Sequence, residues 1–220
     1  MDNPDRAGGG APLAAILDYG GVMAVSPLSR IHWLAEELGA SRDVVVSTIF
    51  SGHGDGVDNP WMDAEVGACE MDEEFGARMQ ARFDPHDVVF DLDFFRSWVV
   101  DATNEPEPQM VAAVRQLRTA GVRSVLLTNS VKGFRGVIDA TVPVDELFDE
   151  VLESWQIGSR KPEARAYWVA ADRLGVPASR CVFVDDLPVN VDAATALGMT
   201  AILMEDGATA SSKLLEVFGL

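Results

Sequence analysis

The chain has 220 residues, of which 48% are hydrophobic and 24% are charged, as in ordinary globular proteins. This length suffices for one domain with an insertion or for two small domains. The formal net charge of −18 disfavours nucleic acids and anionic membranes as partners, because both require a basic surface.

The N-terminal segment 1–12 is polar and rich in glycine, without the basic and then apolar order of a signal peptide. We expect a short disordered tail there and a cytoplasmic protein. No apolar run approaches the roughly 20 residues of a membrane span. Cys69 and Cys181 lie far apart, which argues against a disulfide framework or a zinc site.

The first predicted element is the apolar run 13–17, which has the length and composition of a buried parallel strand. Asp18 follows it at once, and Gly20 and Gly21 permit a sharp turn. Ligands bind beyond the carboxyl ends of the strands in open α/β sheets. Asp18 is therefore a candidate nucleophile, metal ligand or both, although a turn-forming aspartate would give the same pattern.

The stretch 27–103 differs from the rest because its periodicity is helical throughout. Pro27 suits a first helical turn, and Gly39 suits a helix end. The predicted helices cover about 27–38, 41–50, 72–83 and 86–100, with a loop over 51–60. This composition shift predicts a helical cap domain over 27–103, inserted into a core domain formed by 13–26 and 104–220.

Strand and helix patterns alternate from Pro106 onward. Predicted strands cover 122–127, 150–153, 181–184 and 200–204. Predicted helices cover about 110–120, 132–140, 163–174, 188–197 and 211–218. Repeated strand–helix units with short connections predict an α/β fold, in which helices cover both faces of a parallel sheet.

Polar clusters follow three of the predicted strands, and a fourth precedes a helix. The clusters are Asp18, residues 128–130 (TNS), residues 185–186 (DD) and residues 159–162 (SRKP). Because parallel strands share one carboxyl edge, we expect all four to converge. Asp18 could attack phosphorus, Thr128 could hold phosphoryl oxygens and Lys161 could neutralise charge. Asp18 and Asp186 could bind Mg²⁺, and the adjacent Asp185 repels Asp186 unless a cation is present.

These stretches together resemble the haloacid dehalogenase superfamily over residues 13–204. The matching segments are 17–22 (LDYGGV), 126–130 (LLTNS), 158–162 (GSRKP) and 183–186 (FVDD), followed by Asn190. The resemblance implies a Rossmann-like core with a helical cap inserted after the first strand. It implies Asp18 as nucleophile, Thr128 as phosphate binder, Lys161 as the neutralising lysine and Asp186 as metal ligand, with the Gly20 carbonyl as a further Mg²⁺ ligand.

Gly20 stands where most phosphatases of this superfamily carry a second aspartate as general acid and base. The departure resembles a subgroup that includes sugar-1-phosphate phosphatases and the N-terminal phosphatase of soluble epoxide hydrolase. His53 in the cap loop is one candidate proton donor, although a solvated loop histidine is the more common cause of this pattern. A substrate with a good leaving group, such as a sugar 1-phosphate, would need little acid catalysis.

The leading hypothesis is thus a Mg²⁺-dependent phosphatase for a small phosphorylated molecule, acting as a monomer or homodimer. Asp185 is a further candidate metal ligand. Candidate substrate-binding residues are Gly21, His53, Trp61, Asn129 and Ser130. Two alternatives are a metal-independent 2-haloacid dehalogenase-type hydrolase and a binding protein that kept the fold but lost turnover.

Overall fold

The computed structural model describes residues 13–50 and 58–220. The expected tail over 1–12 and His53 lie outside the described residues. No described helix combines the length and apolar character needed to cross a bilayer. Cys69 and Cys181 are free thiols.

Five parallel strands form one sheet in the order β3-β2-β1-β4-β5. The strands are β1 (Ala14–Leu17), β2 (Arg123–Thr128), β3 (Glu150–Glu153), β4 (Cys181–Asp185) and β5 (Thr200–Leu203). The apolar run at the start of the chain becomes the central strand, whose Leu17 is paired with Leu126 on one side and Val184 on the other. The predicted α/β fold with a Rossmann-like parallel sheet is confirmed.

Alternate side chains of β1 enter two different cores, one on each face of the sheet. The helices from residue 108 onward are α6 (Pro108–Thr119), α7 (Arg135–Thr141), α8 (Val144–Leu147), α9 (Ser154–Ile157), α10 (Ala164–Leu174), α11 (Pro188–Ala196) and α12 (Gly207–Phe218). Ala15 and Leu17 pack into the larger core, which also holds Met110 of α6 and Leu214 of α12. Ala14 and Ile16 pack into the second core, together with Tyr167 of α10. Helices therefore cover both faces, as the sequence predicts.

The described residues between β1 and α6 contain helices and no strand. These helices are α1 (Ile31–Glu37), α2 (Arg42–Phe50), α3 (Pro60–Glu65), α4 (Glu73–Phe83) and α5 (Leu92–Asp101), with 3₁₀ turns over Pro27–Arg30 and Asp84–His86. Aromatic rings pack them together: Phe75 of α4 stacks on Phe95 of α5 at 6.1 Å, and Trp61 of α3 lies edge-on to Phe95 at 5.5 Å. The division into a core and a cap domain remains a prediction.

Three helix starts predicted from the sequence are wrong. Helix α5 begins at Leu92 and not at about 86, because Asp91 caps it by accepting a hydrogen bond from Phe94 N at 2.9 Å. Asp87 has a left-handed backbone (φ 55°), which ends the preceding 3₁₀ turn Asp84–His86. Helix α12 begins at Gly207 and not at 211, and helix α7 begins at Arg135 and not at 132.

Candidate active site

Four segments that are distant in the sequence meet at the carboxyl edge of the sheet. Asp18 directly follows β1, Thr128 is the last residue of β2, and Asp185 is the last residue of β4. Lys161 reaches the same place from the loop between α9 and α10. The structure thus brings the four polar clusters together at one edge of the sheet, as expected from the sequence.

Lys161 lies between two carboxylates. Its Nζ is 2.5 Å from Asp18 Oδ1 and 2.7 Å from Asp185 Oδ2, and its side chain is 1% exposed. Burial opposes the charge of the ammonium group, but Asp18 and Asp185 outweigh this effect and raise the pKa of Lys161. Lys161 therefore holds a fixed positive charge beside Asp18.

Asp185 is fully buried, and both of its oxygens are engaged. Oδ2 accepts the hydrogen bond from Lys161, while Oδ1 accepts from Leu187 N and from Asn190 Nδ2, both at 2.9 Å. These contacts tie Lys161 to the first turn of α11. The geometry thus gives Asp185 a positioning role, and its predicted part as a metal ligand stays a prediction.

Asp186 points toward the same region as Asp18. Its Oδ2 accepts a hydrogen bond from Ser26 Oγ at 2.9 Å, a contact that no sequence signal indicated. Burial and the neighbouring Asp185 raise the pKa of Asp186. One oxygen from each of Asp18, Asp185 and Asp186 lies within 4.8 Å of the others, so this cluster could hold a cation.

Asp18 itself is 7% exposed and accepts a hydrogen bond from Tyr19 N at 2.7 Å through Oδ1. Burial raises the pKa of Asp18 well above its ordinary value. Lys161 opposes that rise, and the carboxylates of Asp185 and Asp186 add to it. The three acids carry more negative charge than one lysine can balance, which favours a cation at this place.

Gly21 is the residue against which Asp186 packs. Its φ of +89° lies in the left-handed region, and a Cβ at this position would overlap the Asp186 carboxylate. Gly20 lines the adjoining cavity, and the part predicted for its carbonyl stays a prediction. The two glycines thus let the turn after β1 pass directly beside the acidic cluster.

The segment after β2 lines the cavity, but most of its polar atoms have partners. Within the described part of the chain, the hydrogen bond of Thr128 Oγ1 is a long 3.5 Å contact with the carbonyl of Asn129. The Asn129 side chain accepts from Lys161 N at 2.8 Å and donates to Lys161 O at 3.0 Å. Ser130 Oγ donates to Glu153 at 3.1 Å. Thr128 is therefore the residue of this segment best placed to contact a ligand, while Asn129 holds the Lys161 backbone.

Sequence reasoning missed an ion pair beside the site. Glu65 Oε2 at the end of α3 lies 2.6 Å from Arg160 Nε, and both side chains are at most 10% exposed. Burial raises the pKa of Glu65, which Arg160 opposes. Sequence reasoning placed Arg160 in the polar cluster 159–162 but did not predict Glu65 as its partner. The pair joins the helical segment to the loop that carries Lys161.

A cavity of about 200 Å³ opens onto Asp18, Thr128, Lys161 and Asp186. Trp61 lines it and is 9% exposed. The Trp61 ring also packs edge-on against Phe50 at 5.8 Å and Phe95 at 5.5 Å. Trp61 thus takes part in the packing of the helices and also lines the cavity wall.

A parallel α/β sheet with an acidic cluster and a buried lysine at its carboxyl edge defines a class of hydrolases. The haloacid dehalogenase-like hydrolase family matches residues 55–198, which include Thr128, Lys161, Asp185 and Asp186. This match covers more than half of the chain, so the protein belongs to the haloacid dehalogenase-like hydrolases.

Two relatives and one solved structure illustrate the likeness. A phosphatase of Mycobacterium tuberculosis is 34% identical over 100 residues, which are 44% of this chain and 46% of that protein. Bifunctional epoxide hydrolase 2 of Rattus norvegicus is 26% identical over 221 residues, 93% of this chain and 38% of that protein. The chain spans less than half the length of both relatives. The resemblance to the superfamily is confirmed.

A crystal structure of a HAD family enzyme from Bacteroides thetaiotaomicron, in complex with magnesium and inorganic phosphate, has the same fold. Its TM-score is 0.63 at 14% identity, and the match covers 87% of this chain and 93% of that chain. At this identity the likeness concerns the fold alone.

Proposed function

We propose that this protein is a Mg²⁺-dependent phosphatase that hydrolyses a small phosphomonoester, with Asp18 as the nucleophile. The observation that carries the proposal is the contact of Lys161 Nζ with Asp18 and Asp185, next to Asp186 and at the mouth of a closed-in cavity. This arrangement sets a nucleophilic carboxylate beside a fixed positive charge and a cluster of acids suited to a cation.

The donor set fits Mg²⁺. Carboxylate oxygens are the ligands that Mg²⁺ prefers, and Asp18 and Asp186 supply them in a region of excess negative charge. The Gly20 carbonyl would complete the protein ligands in this proposal. The bound ion would neutralise phosphate oxygens and reduce their repulsion from the carboxylates. The magnesium and phosphate complex of the similarly folded enzyme is consistent with this assignment.

Asp18 acts on phosphorus in two steps. A carboxylate oxygen forms a bond to phosphorus while the bond to the ester oxygen breaks, and the departing alkoxide takes a proton from water. Water then attacks the phosphorus of the aspartyl phosphate, which releases inorganic phosphate and restores Asp18. Lys161 balances charge on the transferring group throughout, and Thr128 holds one of its oxygens.

No acid stands at position 20 to protonate the leaving group. A positioned general acid contributes typically 10²–10⁴-fold, so its absence favours substrates whose leaving groups are weak bases. Sugar 1-phosphates, aryl phosphates and acyl phosphates meet this condition. The rate of phosphate release should therefore fall steeply as the pKa of the leaving group rises.

The experiment is phosphate release from phosphomonoesters that span leaving-group pKa, with Mg²⁺ or with EDTA. Wild type is compared with Asp18→Asn and with Asp172→Asn, an exposed acid on α10 that serves as the matched control. Release that requires Mg²⁺ and is lost only in Asp18→Asn supports the proposal. Halide release from 2-haloacids without metal would instead support the dehalogenase-type hydrolase. If neither activity is found, the hypothesis of a binding protein without turnover is the one supported.

A further inference from the structure

The wall of the cavity beyond the acidic cluster is largely apolar. Its apolar residues come from both the helical segment and the sheet side, and they include Leu28, Phe50, Trp61, Trp98, Val99 and Phe134. The acids and Lys161 stand at one end only. A phosphate group at that end would thus project its organic part against carbon surface.

The N–H and O–H groups of two aromatic side chains in the wall are already used. Trp98 Nε1 donates a hydrogen bond to Arg30 O at 3.1 Å, and Tyr19 OH donates to Thr103 O at 2.8 Å. A buried hydroxyl of a ligand would therefore find no hydrogen-bond donor on these two side chains.

Several polar side chains of the wall already have partners within the protein. Asn129 binds the Lys161 backbone through both ends of its amide, Asn190 donates to Asp185, and Arg160 pairs with Glu65. Thr103 Oγ1 is buried with no hydrogen-bond partner among the described residues, and it offers a single contact. Burying several hydroxyls without partners is costly, so the described wall disfavours a sugar.

We propose that the substrate is a phosphomonoester with an apolar organic group, an alkyl or aryl chain that lies against Leu28, Trp98 and Phe134. This inference rests on the phosphatase function proposed above and narrows its substrate class. Each methylene that leaves water adds apolar contact, so affinity and kcat/KM should increase with the length of the alkyl chain.

The first measurement holds the leaving group constant. Butyl, hexyl and octyl phosphate and glucose 6-phosphate are all esters of primary alcohols, so differences in kcat/KM report the organic group. We expect kcat/KM to rise by up to about fourfold per methylene until the cavity is filled. Glucose 6-phosphate should be at least about tenfold poorer than octyl phosphate.

The second measurement does not need turnover. Binding of butylphosphonate and octylphosphonate in the presence of Mg²⁺ is followed by calorimetry, and the octyl compound should bind at least about tenfold more tightly. Leu28 is half-buried in the cavity wall, and Leu28→Gln places an amide there. In this variant, kcat/KM and the affinity for phosphonates should depend much less on alkyl chain length. Val89→Gln changes a side chain that is 79% exposed and outside the cavity, so both slopes should stay as in wild type.

The outcomes separate this inference from the function on which it rests. Chain-length slopes that Leu28→Gln flattens and Val89→Gln preserves support it. If octylphosphonate binds more tightly than butylphosphonate but no ester releases phosphate, the proposed phosphatase function is wrong and the apolar site stands. If glucose 6-phosphate is hydrolysed efficiently and kcat/KM does not change with alkyl chain length, the apolar site is wrong and the phosphatase function stands.

Discussion

Glu65 and Arg160 form a buried ion pair, with Oε2 of the acid 2.6 Å from Nε of the base. Glu65 ends α3 in the helical segment, and Arg160 immediately precedes Lys161 in the loop before α10. Gly67, just beyond Glu65, passes so close to the carbonyl of Trp155 that a Cβ would overlap it. The helical segment and the site-bearing loop are thus in tight contact beside the nucleophile.

Glu65→Gln should lower the free energy of unfolding by about 3–5 kcal/mol, because Arg160 then keeps its buried charge but loses its carboxylate partner. Chemical denaturation measures the change. The matched control is Glu146→Gln, which removes the carboxylate of an ion pair with Arg115 whose two side chains are half exposed. That variant should unfold like wild type, since exposed ion pairs contribute little. Equal stability of all three proteins would contradict the importance of the buried pair.

Asp185 and Asp186 should respond differently to the same substitution. Asp186→Asn removes a carboxylate from the open acidic cluster, so the Mg²⁺ concentration for half-maximal activity should rise at least about tenfold. Asp185→Asn disturbs the hold on Lys161, so kcat should fall about 10–100-fold with the same Mg²⁺ requirement. Magnesium titrations of activity make the comparison. A raised Mg²⁺ requirement in Asp185→Asn alone would reverse the two roles.

Gly21→Ala should abolish most activity because the new methyl group would displace Asp186. A displacement of about 1 Å costs about 10²-fold in rate. Gly133→Ala is the matched control, since its φ of +88° nearly equals the +89° of Gly21 but its surroundings are open. Both variants should lose about 1–2 kcal/mol of stability from backbone strain, whereas kcat should fall only in Gly21→Ala. A similar kcat in the two variants would show that Asp186 tolerates the shift.

The start of α12 gives a pH-dependent prediction. Asp206 caps this helix by accepting a hydrogen bond from Thr209 N at 2.8 Å, which holds the pKa of Asp206 below its ordinary value. Folding thus favours the ionised form, and this contribution to stability is present above the unfolded-state pKa and lost as the pH falls through the folded-state pKa.

Asp206→Ala should lower Tm at pH 7 by about 2–4 °C, whereas Asp206→Asn retains the cap and should lower it less. The difference in Tm between wild type and Asp206→Asn should shrink as the pH is lowered toward 3. Thermal unfolding followed by circular dichroism provides the test. A difference that is constant or grows at low pH would contradict the assigned charge of the cap.

The sequence predicted the sheet well because its strands are short apolar runs that end in polar residues. Residues 14–17 of the first such run are buried on both faces, so tertiary packing agrees with local preference. The same reasoning placed Asp18, Thr128 and Asp185 on one edge. Parallel strand direction alone requires that convergence, without knowledge of the strand order.

What the sequence could not supply are the contacts between distant side chains. Ser26 on Asp186, Glu65 on Arg160 and Asn129 on the Lys161 backbone depend on how loops cross the edge of the sheet. The predicted starts of α5 and α12 were wrong because each start depends on which aspartate caps the helix. Asp91 and Asp206 cap α5 and α12, yet many other acids in this chain had equal claim to be caps.

In the proposed mechanism, Asp18 carries the phosphoryl group during turnover. The direct measurement is acid quenching of the enzyme during hydrolysis of an aryl phosphate with Mg²⁺, followed by mass spectrometry of the peptide that contains Asp18. We expect phosphate on Asp18 in wild type and none in Asp18→Asn, which should also release no inorganic phosphate. Sustained phosphate release by Asp18→Asn, or a peptide that stays unmodified while wild type turns over, would contradict it.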